Sequence, residues 1–274
     1  MSVAAPPRRL EARGTPAPPA PERLATVLPQ VTVFVCLAFL YAWQAWLQRS
    51  PWLYYDELNY ARLARSIAET GWTGDLGGEF SSQTLYAFVT APAWLLDDVR
   101  HAYEAAKYIG VLFMTATVFP AYLLARTVAP PRPALFAAAA SVCIPALSYS
   151  SLLMQETLAY PYATLSLFLM VTALSTPTRA RVAAAVAASL VAPLVRVELV
   201  VLPLAFAAAA LVVLWVRRDR RYLPGASRLL HWGVAALVAS VLALAAHLVA
   251  VRVSDQWAVA SDSPREIAGY ALWA

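Results

Sequence analysis

The sequence predicts an all-α, polytopic membrane protein with about seven transmembrane helices and an amphipathic helix in its first long loop. Three observations carry that expectation. Of the 274 residues, 61% are hydrophobic and 14% charged, with a mean hydropathy of +0.59; a soluble domain carries about 25% charged residues. Apolar runs long enough to span a bilayer recur along the chain, and the arginines gather in the segments between them on one side. This composition excludes an ordinary soluble enzyme, a disordered chain and a nucleic-acid-binding domain. The net charge of +5 would suit a polyanion, but the basic residues, all Arg except Lys107, sit at the ends of apolar runs, where they act as topology signals. Cys36 and Cys143 lie inside apolar runs, so neither a disulfide framework nor a metal site is expected.

Residues 1–25 are rich in Pro, Ala and Arg without a hydrophobic period and read as a disordered cytoplasmic tail. They lack the cleavage signature of a secretory signal peptide. Val27–Leu47 follows as a first span, matching the roughly 20 residues that a hydrocarbon core requires. Further runs cover Ala106–Ala125, Ala134–Met154, Thr157–Leu174, Val182–Val195, Leu199–Val216 and Trp232–Val251. The stretch from Ala134 to Ser175 contains a single charge, Glu156, and as one helix would be about 63 Å long at 1.5 Å per residue. It therefore folds back at Glu156. Val182 to Val216 is also too long for one crossing, and its only charges, Arg196 and Glu198, follow Pro193. It reads as a hairpin of two short helices turning there. The transmembrane module is thus 26–251, with an outer loop at 49–105 and the start of a further outer segment at 252–274.

Seven spans place the amino terminus and the segments 126–133, 176–181 and 217–229 on one side. That side holds 13 arginines (8, 9, 13, 23, 126, 132, 179, 181, 217, 218, 220, 221 and 228) against Glu11, Glu22 and Asp219. The other side holds 8 basic residues and 13 acids. Basic residues mark the cytoplasm, so the amino terminus is in and the carboxyl terminus out, as expected of a multi-pass plasma-membrane protein. Asp56, Glu57, Glu156 and Arg196 then face outward, away from ATP and nucleotide sugars.

Arg49 to Ala105 is the one long polar stretch. Its helix is expected to start at Asp56–Glu57 and end before Gly71, with Tyr60, Leu63, Ala64 and Ile67 on one face and Asn59, Arg62, Ser66 and Glu69 on another. Such a helix would lie on the outer membrane surface. Gly71, Gly74, Gly77 and Gly78 make a loop that serves as lid or connector. Leu85–Leu96 is apolar but short, hence re-entrant or interfacial. Asp56 has two compatible readings: a helix N-cap, with Glu57 favoured by the dipole in the first turn, or a rigidly held catalytic acid. A carboxylate in a tight turn, as at Glu156, is costlier than the polar uncharged residues that do the same job. Arg196 is either a snorkelling partner of Glu198 or an anion ligand. Trp43, Trp46, Trp52, Tyr54 and Tyr55 suit an interfacial belt. His101, His231 and His247 are scattered singly, with His247 a packed residue.

The stretches YYDELNYARLARSIAETG, AAKYIGVLFMTATVFPAYLLAR, MQETLAYPYATL and LVRVEL, in that order and on those sides, resemble the GT-C superfamily of membrane glycosyltransferases. This superfamily includes protein O-mannosyltransferases and the aminoarabinose transferases of lipid A, and the nearest likeness is to bacterial phospholipid-carrier-dependent members. The likeness covers most of residues 30–216, the amino-terminal module alone. It implies transfer of a sugar from a polyprenyl-phosphate carrier to an acceptor hydroxyl of a polysaccharide, lipid or protein, by single displacement with inversion. It also implies catalytic roles for Asp56, Glu57 and Glu156. Asp56 would be the base, with Glu57 and Glu156 orienting the acceptor or holding that base. Arg196, then Lys107, would bind the carrier phosphate, and Tyr55 would contact substrate. Some relatives use a divalent metal (Mg or Mn), which Asp56 and Glu156 could hold, although no clustered ligand motif demands one. Relatives usually run on well beyond this length, so the chain is expected to be part of a longer polypeptide.

Two other readings stand beside this one. A transporter or lipid-carrier flippase would place ionisable groups in mid-membrane, whereas these lie at span ends. A non-catalytic membrane subunit would assemble through small-residue faces such as AAVAASLVA and AFAAAA.

Overall fold

The computed structural model describes residues 20–48, 55–71, 85–143 and 150–216, with short helical pieces between 233 and 242. Among them every regular element is helical. The order is α1 (Ala20–Leu47), α2 (Tyr55–Thr70), α3 (Leu85–Thr90), a 3₁₀ turn (Ala91–Leu95), α4 (Val99–Ala116), α5 (Val118–Ala125), α6 (Pro131–Val142), α7 (Glu156–Ser175), α8 (Arg179–Val195), a second 3₁₀ turn (Val197–Val200) and α9 (Val201–Val216). Most of the amino-terminal tail, Gly74–Gly78, the Arg217–Arg228 loop and the segment after 252 lie outside the described residues.

Among the described residues four helices are long and apolar enough to cross a membrane: Val27–Leu47, Val99–Ala125, Glu156–Ser175 and Val197–Val216. Their outward faces leave Phe39, Trp43, Leu204 and Trp215 exposed, which is the surface of a membrane protein. These helices answer to four of the seven expected spans, and where the helix bounds depart from the expected runs the causes are local. α1 begins at Ala20, inside the expected tail, because Pro21 suits the first helical turn. The second span starts at Val99 rather than Ala106, since the Asp98 carboxylate caps α4 by accepting from the His101 amide at 2.9 Å. That exposed carboxyl is held below its ordinary range by this bond. Of the run expected over Ala134–Met154 the described residues show α6, 12 residues ending at Val142. Cys143 ends α6 with non-helical φ −90° and ψ 48°, and residues 150–155 run from a 3₁₀ piece into turns; in the sequence Pro145 lies just beyond, a residue with no N–H to extend a helix. α8 has 17 residues and starts at Arg179, where the Thr178 hydroxyl accepts from the Arg181 amide. Of the run Trp232–Val251 only pieces are described, with Leu237 buried in the α7–α9 core.

The packing is close because the crossing points are small. Ala45, Ala106, Ala134, Ala138, Ala173, Ala185, Ala192 and Ala210 are fully buried, so helix backbones approach each other without large side chains between them. Pro120 interrupts the hydrogen-bond ladder between α4 and α5, and the chain turns at Thr117. A β-carbon on Gly110 would stand 3.3 Å from Thr157 Oγ1, marking a close approach of α4 to α7. Gly110→Val is expected to overpack this crossing and cost about 1–3 kcal/mol, read as a lower Tm of the detergent-solubilised protein.

α7 and α8 run antiparallel: the Tyr162 hydroxyl donates to the Ala188 carbonyl at 2.7 Å, and Glu156 at the start of α7 meets Arg196 at the end of α8. The same end of the bundle receives the carboxyl end of α1 and the amino end of α4. Over it lie α2 and α3. Gly71, with φ +75°, closes α2 by donating to the Ile67 carbonyl at 2.9 Å. The apolar side of α2 does not face a lipid surface: Ala64 and Ile67 pack on Ala87 and Ala91, and Tyr60 on Tyr86, Leu158 and Val195. Leu85–Leu96, expected as re-entrant or interfacial, forms α3 and the 3₁₀ turn that receive this face.

Candidate functional site

Helix geometry sends the two adjacent acids of α2 in different directions. Successive residues are about 100° apart around a helix axis, and Asp56 is exposed while Glu57 is 2% exposed. The helix starts at Tyr55, so Asp56 lies within the first turn rather than at the N-cap. There the helix dipole favours its charge by about 0.3–1 kcal/mol. Tyr55 begins the helix, and its side chain lies outside the described residues. Glu57 turns into the bundle, where Oε1 accepts from the Tyr103 hydroxyl at 2.5 Å and from the Leu153 amide at 3.3 Å.

Glu156 and Arg196 are brought together by the α7–α8 pairing. Arg196 Nη1 donates to Glu156 Oε1 at 2.7 Å, and Nε donates to Glu198 Oε2 at 2.9 Å. The local sequence explains both positions. Glu156 opens α7, where the helix dipole favours an anion, and Arg196 follows the last residue of α8, where it favours a cation. Pro193 precedes the break, and Arg196 itself is extended, with φ −159° and ψ 133°. Glu198 is the more exposed partner, at 60% for its side chain against 20% for Glu156. Glu156 Oε2 is buried with no hydrogen-bond partner, which leaves a carboxylate oxygen with unused accepting capacity. The hydrogen bonds and charges of Glu198 and Glu156 hold the guanidinium still more firmly protonated.

Tyr60 links the two groups of acids. It follows Asp56 by one helical turn, stacks edge-on against Tyr86 with ring centroids 5.2 Å apart, and feels the charges of Asp56, Glu156 and Arg196. Burial, reinforced by Asp56 and Glu156, raises its phenol well above the ordinary range, so it remains a neutral hydroxyl at physiological pH. Buried Tyr86 is raised for the same first reason.

Lys107 stands elsewhere. It is 1% exposed, and Nζ donates to the carbonyls of Ala45 and Gln48 at 2.9 and 2.6 Å. It therefore caps the carboxyl end of α1, with the Tyr103 ring centroid 5.0 Å from its ammonium. The structure thus groups Asp56, Tyr60, Glu156, Arg196 and Glu198 at one end of the bundle, and sets Glu57 with Tyr103 and Lys107 behind them.

Sequence reasoning missed Tyr60 and Tyr103. Tyr60 was legible as the residue one turn after Asp56. Tyr103 precedes Lys107 by one turn, but nothing in the sequence pairs it with Glu57.

Among the described residues no group of three or more His, Cys, Asp or Glu could hold an ion. Of the two carboxylate oxygens of Glu156, Oε1 is taken by the Arg196 guanidinium and Oε2 has no hydrogen-bond partner. No protein-family model matches this chain, and no curated protein or solved structure matches it either.

Proposed function

We propose that this protein is a membrane glycosyltransferase that moves a sugar from a polyprenyl-phosphate carrier to an acceptor hydroxyl on the extracytoplasmic face. The observation that carries the reading is an exposed carboxylate, Asp56, at the same end of the bundle as a guanidinium held by Glu156 and Glu198. A base for the acceptor hydroxyl and a cation for the leaving phosphate are what a displacement at a glycosyl phosphate needs. The wider proposal includes seven crossings of the plasma membrane, with α6, α8 and the run 232–251 completing the four spanning helices, and the amino terminus in the cytoplasm. The arginine-rich segments support that orientation.

In the proposed step the acceptor hydroxyl gives its proton to the Asp56 carboxylate, which must approach within about 3 Å. The acceptor oxygen attacks the anomeric carbon as the bond from that carbon to the phosphate oxygen breaks. The polyprenyl phosphate leaves with its new negative charge against Arg196. The configuration inverts. Glu156 holds Arg196 in place, and its free oxygen can accept from a sugar or acceptor hydroxyl. Tyr55 is the proposed substrate contact beside the base. Lys107 takes no part in phosphate binding, because its donors cap α1.

The carrier phosphate competes with Glu198 for the Nε edge of the guanidinium. Glu198→Ala is therefore expected to lower the KM for the carrier by about 2–5-fold, the scale of an exposed ion pair. Steady-state kinetics over a range of carrier concentrations checks this.

The test of the function itself uses membranes containing the chain and radiolabelled polyprenyl-phosphate sugar. Label should move to polysaccharide, lipid or protein acceptors, and should not do so in membranes without the chain or when a nucleotide sugar is the donor. Absence of chain-dependent transfer from every carrier-linked sugar would remove the proposal.

A further inference from the structure

We infer that Tyr103 is a positioning residue: it latches the first turn of α2 to the bundle through Glu57 and so fixes where Asp56 stands. The inference rests on the reading of Asp56 as the base, but the latch itself is a matter of geometry.

Glu57 is a carboxylate with 2% exposure in the first turn of α2. Burying a charge in that way is unfavourable unless donors meet it. Two of its donors come from separate elements: the Tyr103 hydroxyl on α4 at 2.5 Å, and the Leu153 amide ahead of α7 at 3.3 Å. The Tyr103–Glu57 bond joins positions 46 residues apart. It is the kind of contact that sets tertiary placement rather than local helix. Tyr103 is fixed in turn. Its ring lies beneath the Lys107 ammonium at 5.0 Å, and that ammonium is bonded to the carboxyl end of α1. The line Lys107, Tyr103, Glu57 thus ties α1 and α4 to the first turn of α2.

The rest of α2 is held by apolar contacts of Tyr60, Ala64 and Ile67. The first turn has this polar anchor instead, and Asp56 is the residue next to it. Without the Tyr103 hydroxyl, Glu57 regains hydrogen bonding most easily by moving toward water. That motion carries Asp56 away from Glu156 and Arg196.

Tyr103→Phe removes one oxygen and keeps the ring beneath Lys107. Measured by hydrogen–deuterium exchange of the whole chain in lipid nanodiscs, amides of 57–64 should exchange about 10–100-fold faster, the scale of a hydrogen bond to a charged group. Amides of α7 and α8 should not change. Glu57→Gln should loosen the same segment, and the double variant should be no looser than the looser single one, as expected for two ends of one bond. In transfer assays Tyr103→Phe should lower kcat and leave the KM for the carrier unchanged. Unchanged exchange in α2, or effects of the two substitutions that simply add, would overturn the latch. If Tyr103→Phe is not recovered folded, Glu57→Gln alone makes the same exchange comparison. A loosened α2 in a protein whose wild type transfers no sugar would uphold the latch and remove the transferase reading, so the two fail separately.

Discussion

Asp56→Asn is expected to reduce sugar transfer by about 10²–10⁴-fold, the contribution of a positioned general base. Asparagine keeps the size and much of the hydrogen bonding of the side chain but cannot take a proton from the acceptor. Its structural cost is bounded. Asp56 is exposed in the first turn of α2, so the substitution removes only a dipole interaction of about 0.3–1 kcal/mol. The variant should therefore accumulate in membranes and melt close to wild type. Transfer rates and thermal melts on the same preparations check both halves. A purely structural Asp56 would reverse the pattern, with transfer preserved and any change confined to the melt.

Arg196→Gln is expected to affect both activity and stability. Loss of the cation facing the leaving phosphate should cost about 10²–10³ in kcat, as for removal of one oxyanion donor. The substitution also leaves Glu156, whose Oε2 already has no partner, without the guanidinium on Oε1. A fully buried pair broken in this way costs several kcal/mol, and the partial exposure of both side chains brings the expected loss to about 1–2 kcal/mol. A second substitution separates the effects. Arg196→Gln combined with Glu156→Gln removes the unpaired charge and should recover most of the stability, while transfer stays low. Recovery of transfer as well would mean that Arg196 serves only to neutralise Glu156. Arg196→Lys should fall between, since an ammonium cannot present the guanidinium's fork to two carboxylates at once.

The turns at this end of the bundle were legible because polar residues there interrupt long apolar runs. A single charge between Ala134 and Ser175 marks the start of α7 at Glu156. Pro193 followed by Arg196 and Glu198 marks the break after α8. Gly71 closes α2 as its position suggests. The inward turn of Glu57 could also have been read. Glu57, Tyr60, Ala64 and Ile67 are spaced three, four and three apart, so Glu57 extends the buried stripe backward by one step. It was hidden because a carboxylate is not expected on a buried face.

Lys107 was not legible. Its partners are backbone carbonyls at the end of α1, and carbonyls leave no mark in a side-chain pattern. An ammonium at a span end looks the same in sequence whether it faces a phosphate or caps a helix. The early end of α6 has a simpler cause. The run to Met154 carries serines but no charge, so hydropathy continues past Val142, where α6 ends. Composition records what a segment can be dissolved in, whereas hydrogen-bonding capacity decides where its helix ends.

The most direct measurement supplies radiolabelled polyprenyl-phosphate sugar to sealed right-side-out and inside-out membrane vesicles carrying wild type or Asp56→Asn, with a membrane-impermeant acceptor added outside. The account predicts labelled acceptor from wild type in right-side-out vesicles, little from inside-out ones, and a near-complete loss in both with the variant. Equal labelling by wild type and Asp56→Asn, or labelling confined to inside-out vesicles, would contradict it.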